Sequence, residues 1–152
     1  MLVRLFILLL LSVSPIFADD ILVVTGLQVD IKDITMKKVE NIFLKKTLVN
    51  AQGTRWIPLN LNPDHPIRQM FSQTVFKKRP EDLESYWNDQ YFQGISPPYV
   101  VNSEEAMLRF IASTSGAIGY ILPCHLDSRV QVVIKIKVQS PVEKNCTAII
   151  PQ

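Results

Sequence analysis

Short apolar runs alternate along this chain with stretches whose apolar side chains recur at helical spacing, and that interleaving constrains the fold more than any single motif does. Ile21-Leu22-Val23-Val24 is apolar throughout and ends at Thr25-Gly26, the pattern of a buried strand. Thr35 can cap a helix that places Met36, Val39 and Phe43 on one face. The stretch from Asn50 to Thr54, with Gly53, reads as a turn. A second strand follows from Trp56 to Leu61, in which Pro58 points to an irregular or edge position. Pro66 suits the first turn of a helix whose stripe is Ile67, Met70, Phe71 and Val75. Pro80 opens another, with Glu81 and Asp82 at its positive end, and its Leu83, Tyr86, Trp87 and Tyr91 are expected to face the core. After Pro97-Pro98 comes a brief strand at Tyr99-Val100-Val101. Ser103 then caps a last helix, with Glu104 and Glu105 in its first turn and Met107, Phe110 and Ile111 turned inward. Thr114-Ser115-Gly116 leads into a strand from Ala117 to Leu122. Strands interleaved with helices predict a three-layer α/β domain with a largely parallel sheet.

The carboxyl-terminal segment differs in kind. Val130, Val132, Ile134, Ile136 and Val138 alternate with Gln131, Val133, Lys135, Lys137 and Gln139. A period of two marks a half-buried strand, and the outward lysines suit the edge of a sheet.

The amino terminus belongs to export rather than to the fold. Arg4 supplies a positive start, Leu5 to Val13 is apolar apart from Ser12, and Ile16-Phe17-Ala18 suits signal peptidase before Asp19-Asp20. The run is shorter than the ~20 apolar residues that span a bilayer. Residues 1–18 are therefore expected to be a cleaved signal peptide, and residues 19–152 one exported, periplasmic domain with no membrane insertion of the mature chain. Arg4 is the only charge in that segment, so the mature chain carries 15 basic and 14 acidic side chains, a net charge of +1. That balance makes no electrostatic case for nucleic acid or an anionic membrane. The two cysteines, Cys124 and Cys146, are the only pair available, and an oxidising compartment favours a disulfide over two buried thiols. Cys124-His125 with distant Cys146 and His65 lacks the paired spacing of metal ligands, so neither a metal nor another cofactor is expected.

Several stretches resemble the phosphate-type periplasmic solute-binding proteins. Ile42-Phe43-Leu44-Lys45-Lys46 followed by Trp56-Ile57-Pro58 is similar to an "IF.GK … W … P" pattern of that family. Pro66-Ile67-Arg68-Gln69-Met70-Phe71, Tyr86-Trp87 and Pro97-Pro98 follow in the right order, and Gly116-Ala117-Ile118-Gly119-Tyr120 resembles the family's "GAIGY" strand. Full-length members have two α/β lobes that clamp an oxyanion. The resemblance covers roughly Ile21 to Ile121, and a domain takes ~100–150 residues, so it implies a single three-layer lobe of a type II periplasmic-binding-protein-like fold. It also implies, as partners, a small oxyanion such as phosphate and an envelope or membrane protein complex, with a homodimer as one way to rebuild a clamp.

The stretch that would hold the oxyanion departs from the family. A Ser-Gly-Thr turn at a helix amino terminus is replaced by Asn62-Pro63-Asp64-His65-Pro66-Ile67-Arg68, which adds a carboxylate and two residues without N–H groups. Arg68 is the candidate cation; the other role open to it is a surface or packing arginine. Thr25-Gly26 and Thr114-Ser115-Gly116 are further candidates, because both can present hydroxyls and N–H groups at strand ends. Turn chemistry alone accounts for their glycines equally well. No Gly-x-Ser-x-Gly elbow, P-loop or His-Glu-x-x-His helix occurs, and no catalytic residue is expected. Two functions stay open: weak oxyanion binding linked to transport, and a non-catalytic interaction module that kept the lobe and lost the ligand.

Overall fold

The computed structural model describes residues 20–138. The expected signal peptide at 1–18 and Cys146 lie outside the described residues. Five strands, β1 (Asp20–Gly26), β2 (Ile57–Leu61), β3 (Tyr99–Val101), β4 (Ala117–Ile121) and β5 (Val130–Lys137), form one sheet in the order β3-β2-β4-β1-β5. β2 is parallel to β3 and β4, whereas β1 is antiparallel to β4 and β5. Hence β2, β3, β4 and β5 point one way and β1 alone points the other.

Helices α1 (Met36–Phe43), α2 (Pro66–Phe76), α3 (Glu84–Phe92) and α4 (Glu104–Ser113) connect the strands. The expected caps are in place. Thr35 Oγ1 accepts from Lys38 N–H, and Ser103 Oγ accepts from Ala106 N–H. Pro66 takes the first turn of α2, where its missing N–H costs nothing.

Successive residues of β4 show the layering, since neighbours on a strand face opposite ways. Tyr120 stacks on Phe71 of α2 at 3.9 Å between ring centroids and lies 5.9 Å from Phe43 of α1. Gly119, next to it, faces α4: a Cβ there would lie 2.5 Å from the Met107 sulfur. The sheet is thus the middle of three layers, with α1 and α2 on one face and α4 on the other. Gly116 has φ +78°, and a Cβ would sit 2.1 Å from the Arg55 carbonyl oxygen. Both glycines of the Gly116–Tyr120 segment are therefore demanded by packing or backbone.

Two expectations change. Pro58 sits in an interior strand, not at an edge. Ile57 N–H donates to Gly116 O on the β4 side, so the next residue's nitrogen faces β3, whose pairing begins only opposite Leu59. The missing donor therefore meets no acceptor. The aromatic residues of α3 do not form core. A 3-10 turn, Glu81–Leu83, leads into α3; Leu83 is buried there, but no residue of α3 is. Tyr86 and Trp87 are half-buried, while Tyr91 is 70% and Phe92 89% exposed. The Tyr86 hydroxyl donates to Leu44 O at 2.7 Å, which keeps the ring at the surface beside α1. β5 is an edge strand with exposed Lys135 and Lys137, as its alternation predicts. A register shift opposite Val23/Val24 interrupts its period.

Candidate functional site

The strand directions divide the candidate residues between the two ends of the sheet. Thr25 and Gly26 close β1, but β1 runs against the rest, so they lie where β4 and β5 begin. Thr114-Ser115-Gly116 enters β4 at that same end. Gly26, Leu27, Gln28 and Val29 face Thr114, Ser115, Gly116 and Arg129 across an open cavity of about 280 Å³.

Three side-chain donors at this end are engaged. Thr25 Oγ1 is buried and donates to Ala117 O at 2.7 Å, which ties β1 to β4. Gln131 Nε2 donates to the carbonyls of Gly26 and Val29, fixing the loop after β1. Arg129 forms a two-bonded pair with Glu105, at 3.0 and 2.7 Å, and further bonds to Asp127. Those bonds, from Arg129 first and then Arg109, hold the Glu105 carboxyl down at about 2. The only guanidinium lining the cavity is therefore matched by two carboxylates, a poor receptor for an anion.

Arg68 belongs to the other end, where β2, β3 and β4 finish. It lies in the first turn of α2 and is 6% exposed. One guanidinium nitrogen donates to Asn60 Oδ1, and its Nε is buried without a hydrogen-bond partner. The Tyr120 hydroxyl lies 3.4 Å from the same Asn60 oxygen and accepts from Leu61 N–H at 3.1 Å. Burial, foremost, pushes the Tyr120 phenol up, with Arg68 opposing it. Among the described residues no carboxylate pairs with Arg68, so this buried cation is balanced by neutral oxygens alone.

The helix terminus beside it offers little more. Pro66 has no N–H, Ile67 N–H donates to His65 Nδ1 at 3.3 Å, and His65 N–H donates to Asn62 O. Gln69 N–H donates to His65 O. That leaves the Arg68 N–H alone among the first-turn donors for a ligand. Asp64 is exposed in the preceding loop. Of the Asp64-His65 pair, His65 is thus the cap of α2.

Asn60 and Tyr120 were absent from the sequence-derived candidates. The signal for Asn60 was a single amide inside the apolar run Trp56–Leu61; Tyr120 was visible only through its family-like motif. Glu104, read as a helix-dipole partner, is buried and accepts from Leu122 N–H at 2.6 Å. Cys124 lies in the turn Pro123–His125 that follows β4, at the Arg68 end. Among the described residues no group of acidic, histidine and cysteine side chains could hold a metal, and no helix is long and apolar enough to cross a membrane.

No protein-family profile and no curated protein matches the sequence. Solved structures do match. A phosphate ABC transporter substrate-binding protein of Clostridium perfringens, solved with bound phosphate and named on a provisional basis, aligns with TM-score 0.62 and 18% identity over 76% of this chain and 44% of its own. An ABC-type phosphate transport receptor of Vibrio cholerae gives 0.60 and 16% over 76% and 45%, and PstS of Borrelia burgdorferi gives 0.61 and 15% over 78% and 48%. The likeness is one of fold: the chain has the periplasmic-binding-protein architecture and spans less than half the length of each of these proteins.

Proposed function

We propose that this chain is an exported solute-binding-like domain that takes a small oxyanion such as phosphate, weakly, beside Arg68 at the end of the sheet where β2 and β4 finish, in association with an envelope transport complex. Arg68 carries the reading. A buried guanidinium with no acidic partner among the described residues, and with its buried Nε–H unpartnered, is a site poised for negative charge. The fold shared with phosphate-transport proteins supports it, and those neighbours are transport proteins rather than enzymes.

Weakness follows from the donor count. One charge-assisted hydrogen bond contributes ~1.5–3 kcal/mol, whereas a 1 mM complex needs about 4.1 kcal/mol. Asp64 opposes the ligand, and the helix terminus brings one backbone donor in place of several. A second copy set across this end would restore converging donors and exclude water, so oligomeric state belongs in the test. Titration calorimetry of the mature monomer with phosphate and sulfate is expected to give dissociation constants of millimolar or weaker, weakened further by Arg68→Lys. Micromolar binding by a monomer, indifferent to Arg68→Lys, overturns the assignment.

The exposed aromatic end of α3 favours a second reading, a non-catalytic interaction module. Tyr91 and Phe92 stand on a helix with no buried residue. On that reading no heat is seen with either anion, and Phe92→Ser leaves the fold intact while abolishing association with an envelope partner.

A further inference from the structure

β3 and β5 are the edge strands of the sheet, and they are guarded differently. β5 turns Lys135 and Lys137 outward, exposed charges that discourage a further strand. β3 is Tyr99-Val100-Val101, with Tyr99 63% and Val100 54% exposed and no charge of its own. Its free backbone groups follow from the register. Ile57 N–H donates towards β4, so Pro58 and Asn60 face β3. Asn60 pairs with Val100, and in a parallel ladder it bonds the residues on either side of its partner. The N–H and C=O of Val100 therefore point out of the edge. No turn, loop or cap bond among the described residues takes them up.

Cations gather beside this edge. Lys45, half-buried just past the end of α1, holds its ammonium 6.0 Å from the Tyr99 ring centroid. Lys46 Nζ lies 5.8 Å from the Tyr86 ring, and the Tyr86 hydroxyl fastens α3 to Leu44 beside both lysines. Burial first, and then the charge of nearby Arg55, lowers the Lys45 pKa. Among the described residues Lys45, Lys46 and Arg55 form no ion pair. Positive charges without acidic partners thus flank an apolar, unguarded edge.

We propose that the β3 edge is a docking strand for an extended acidic segment of a partner protein, which pairs with the Val100 backbone and sets its carboxylates against Lys45, Lys46 and Arg55. A strand added to an edge gains main-chain hydrogen bonds, and its side chains decide which segment is taken. Charge selects the occupant here. A second copy docked edge to edge would bring the same three cations together, which like-charge repulsion opposes. A polyanion without peptide N–H groups would leave the outward Val100 carbonyl unused. Pro97 and Pro98 cannot donate, so the paired stretch is short and binding should be weak and salt-sensitive. The proposal deepens the interaction-module reading by naming its surface and partner chemistry.

A library of random short peptides, displayed on phage and selected on the mature monomer, is the probe. Enriched peptides are expected to be acidic with apolar residues at alternate positions, and to shift the amide NMR signals of Val100 and Asn102. Val100→Pro removes an N–H that bonds nothing in the sheet, so circular dichroism should be unchanged while peptide binding is lost. Lys45→Glu combined with Arg55→Glu is expected to weaken the acidic peptides about tenfold and to enrich basic ones in a fresh selection. That arm decides the matter even if Val100→Pro does not fold. Arg68→Lys should leave peptide binding unchanged, which separates this surface from the oxyanion site. No enrichment, enrichment without a charge bias, edge-to-edge dimers of the chain, or binding indifferent to both edge variants each overturns the proposal. Association with an envelope partner that needs Phe92 but ignores the edge variants keeps the interaction-module reading and overturns this one alone.

Discussion

Each end of the sheet holds an arginine near a candidate ligand loop, and Arg129 and Arg68 differ in what surrounds the charge. At the end lined by Gly26 and Gly116 there is an open cavity, yet Arg129 is matched by Glu105 and Asp127. At the other end Arg68 meets Asn60 and Tyr120 and, among the described residues, no carboxylate. The cavity has room but its lining arginine is paired; Arg68 has no carboxylate partner among the described residues and few donors beside it. Which groups already occupy a cation decides its use, more than the loop motif next to it.

The largest effect separating the ends is expected from the backbone. Gly116→Ala places a Cβ against the Arg55 carbonyl in a left-handed conformation, so it should cost about 3–4 kcal/mol or prevent folding. Urea unfolding checks it. A cost under about 1 kcal/mol would show that the loop before β4 is free to move, which would reopen that end as a binding loop.

The arginines come next. Arg68→Ala removes a buried stem and takes a charged donor from Asn60 Oδ1, so a loss of about 2–4 kcal/mol is expected. Arg129→Ala breaks a solvated cluster and should cost less than about 1 kcal/mol. Equal losses in parallel denaturation curves would erase the distinction drawn between the ends.

How much of this was legible in the sequence differs by element. Caps at Thr35, Pro66 and Ser103 are local chemistry, and each was readable because its partner lies within a few residues. The alternation in β5 likewise announced an edge strand. Strand order and the reversed direction of β1 were not readable, since periodicity reports that a face is buried and not which strand lies beside it. That is why Thr25-Gly26 and Arg68, both next to strand ends, fall at opposite ends of the sheet. The aromatic spacing of α3 promised a core stripe for the same reason: nothing local says that no sheet face lies opposite.

Acid should weaken the cavity end. The Glu105 carboxyl is held at about 2 against an ordinary 4.5, by Arg129 and then Arg109. A carboxyl depressed on folding contributes stability above its ordinary value and loses it as pH falls towards the folded one. The Glu105 contribution is therefore lost between about pH 5 and pH 2. The pair is exposed, so the loss should be small and shrink further in salt. Thermal melts across that range should show a shallower acid limb in Arg129→Gln than in the unaltered chain. Identical limbs would mean that the cluster is not formed in solution.

The smallest effect concerns Asp64 and the Arg68 end. Asp64 is exposed in the loop before α2, so its charge reaches a ligand at the helix terminus through water. Two unit charges some 6 Å apart at the dielectric of water interact by about 0.7 kcal/mol before screening, and salt near the physiological level reduces that by a further part. Asp64→Asn keeps the side-chain size and removes the charge, so phosphate should bind two- to threefold more tightly at low ionic strength and nearly unchanged at high salt. Because the residue is on the surface, the fold should be unaffected, and the experiment reports on charge alone. Calorimetry of the two proteins at two salt concentrations, at equal oligomeric state, reads the difference directly. An affinity that does not respond to Asp64→Asn at low salt would place the anion away from the α2 terminus, and with it away from Arg68.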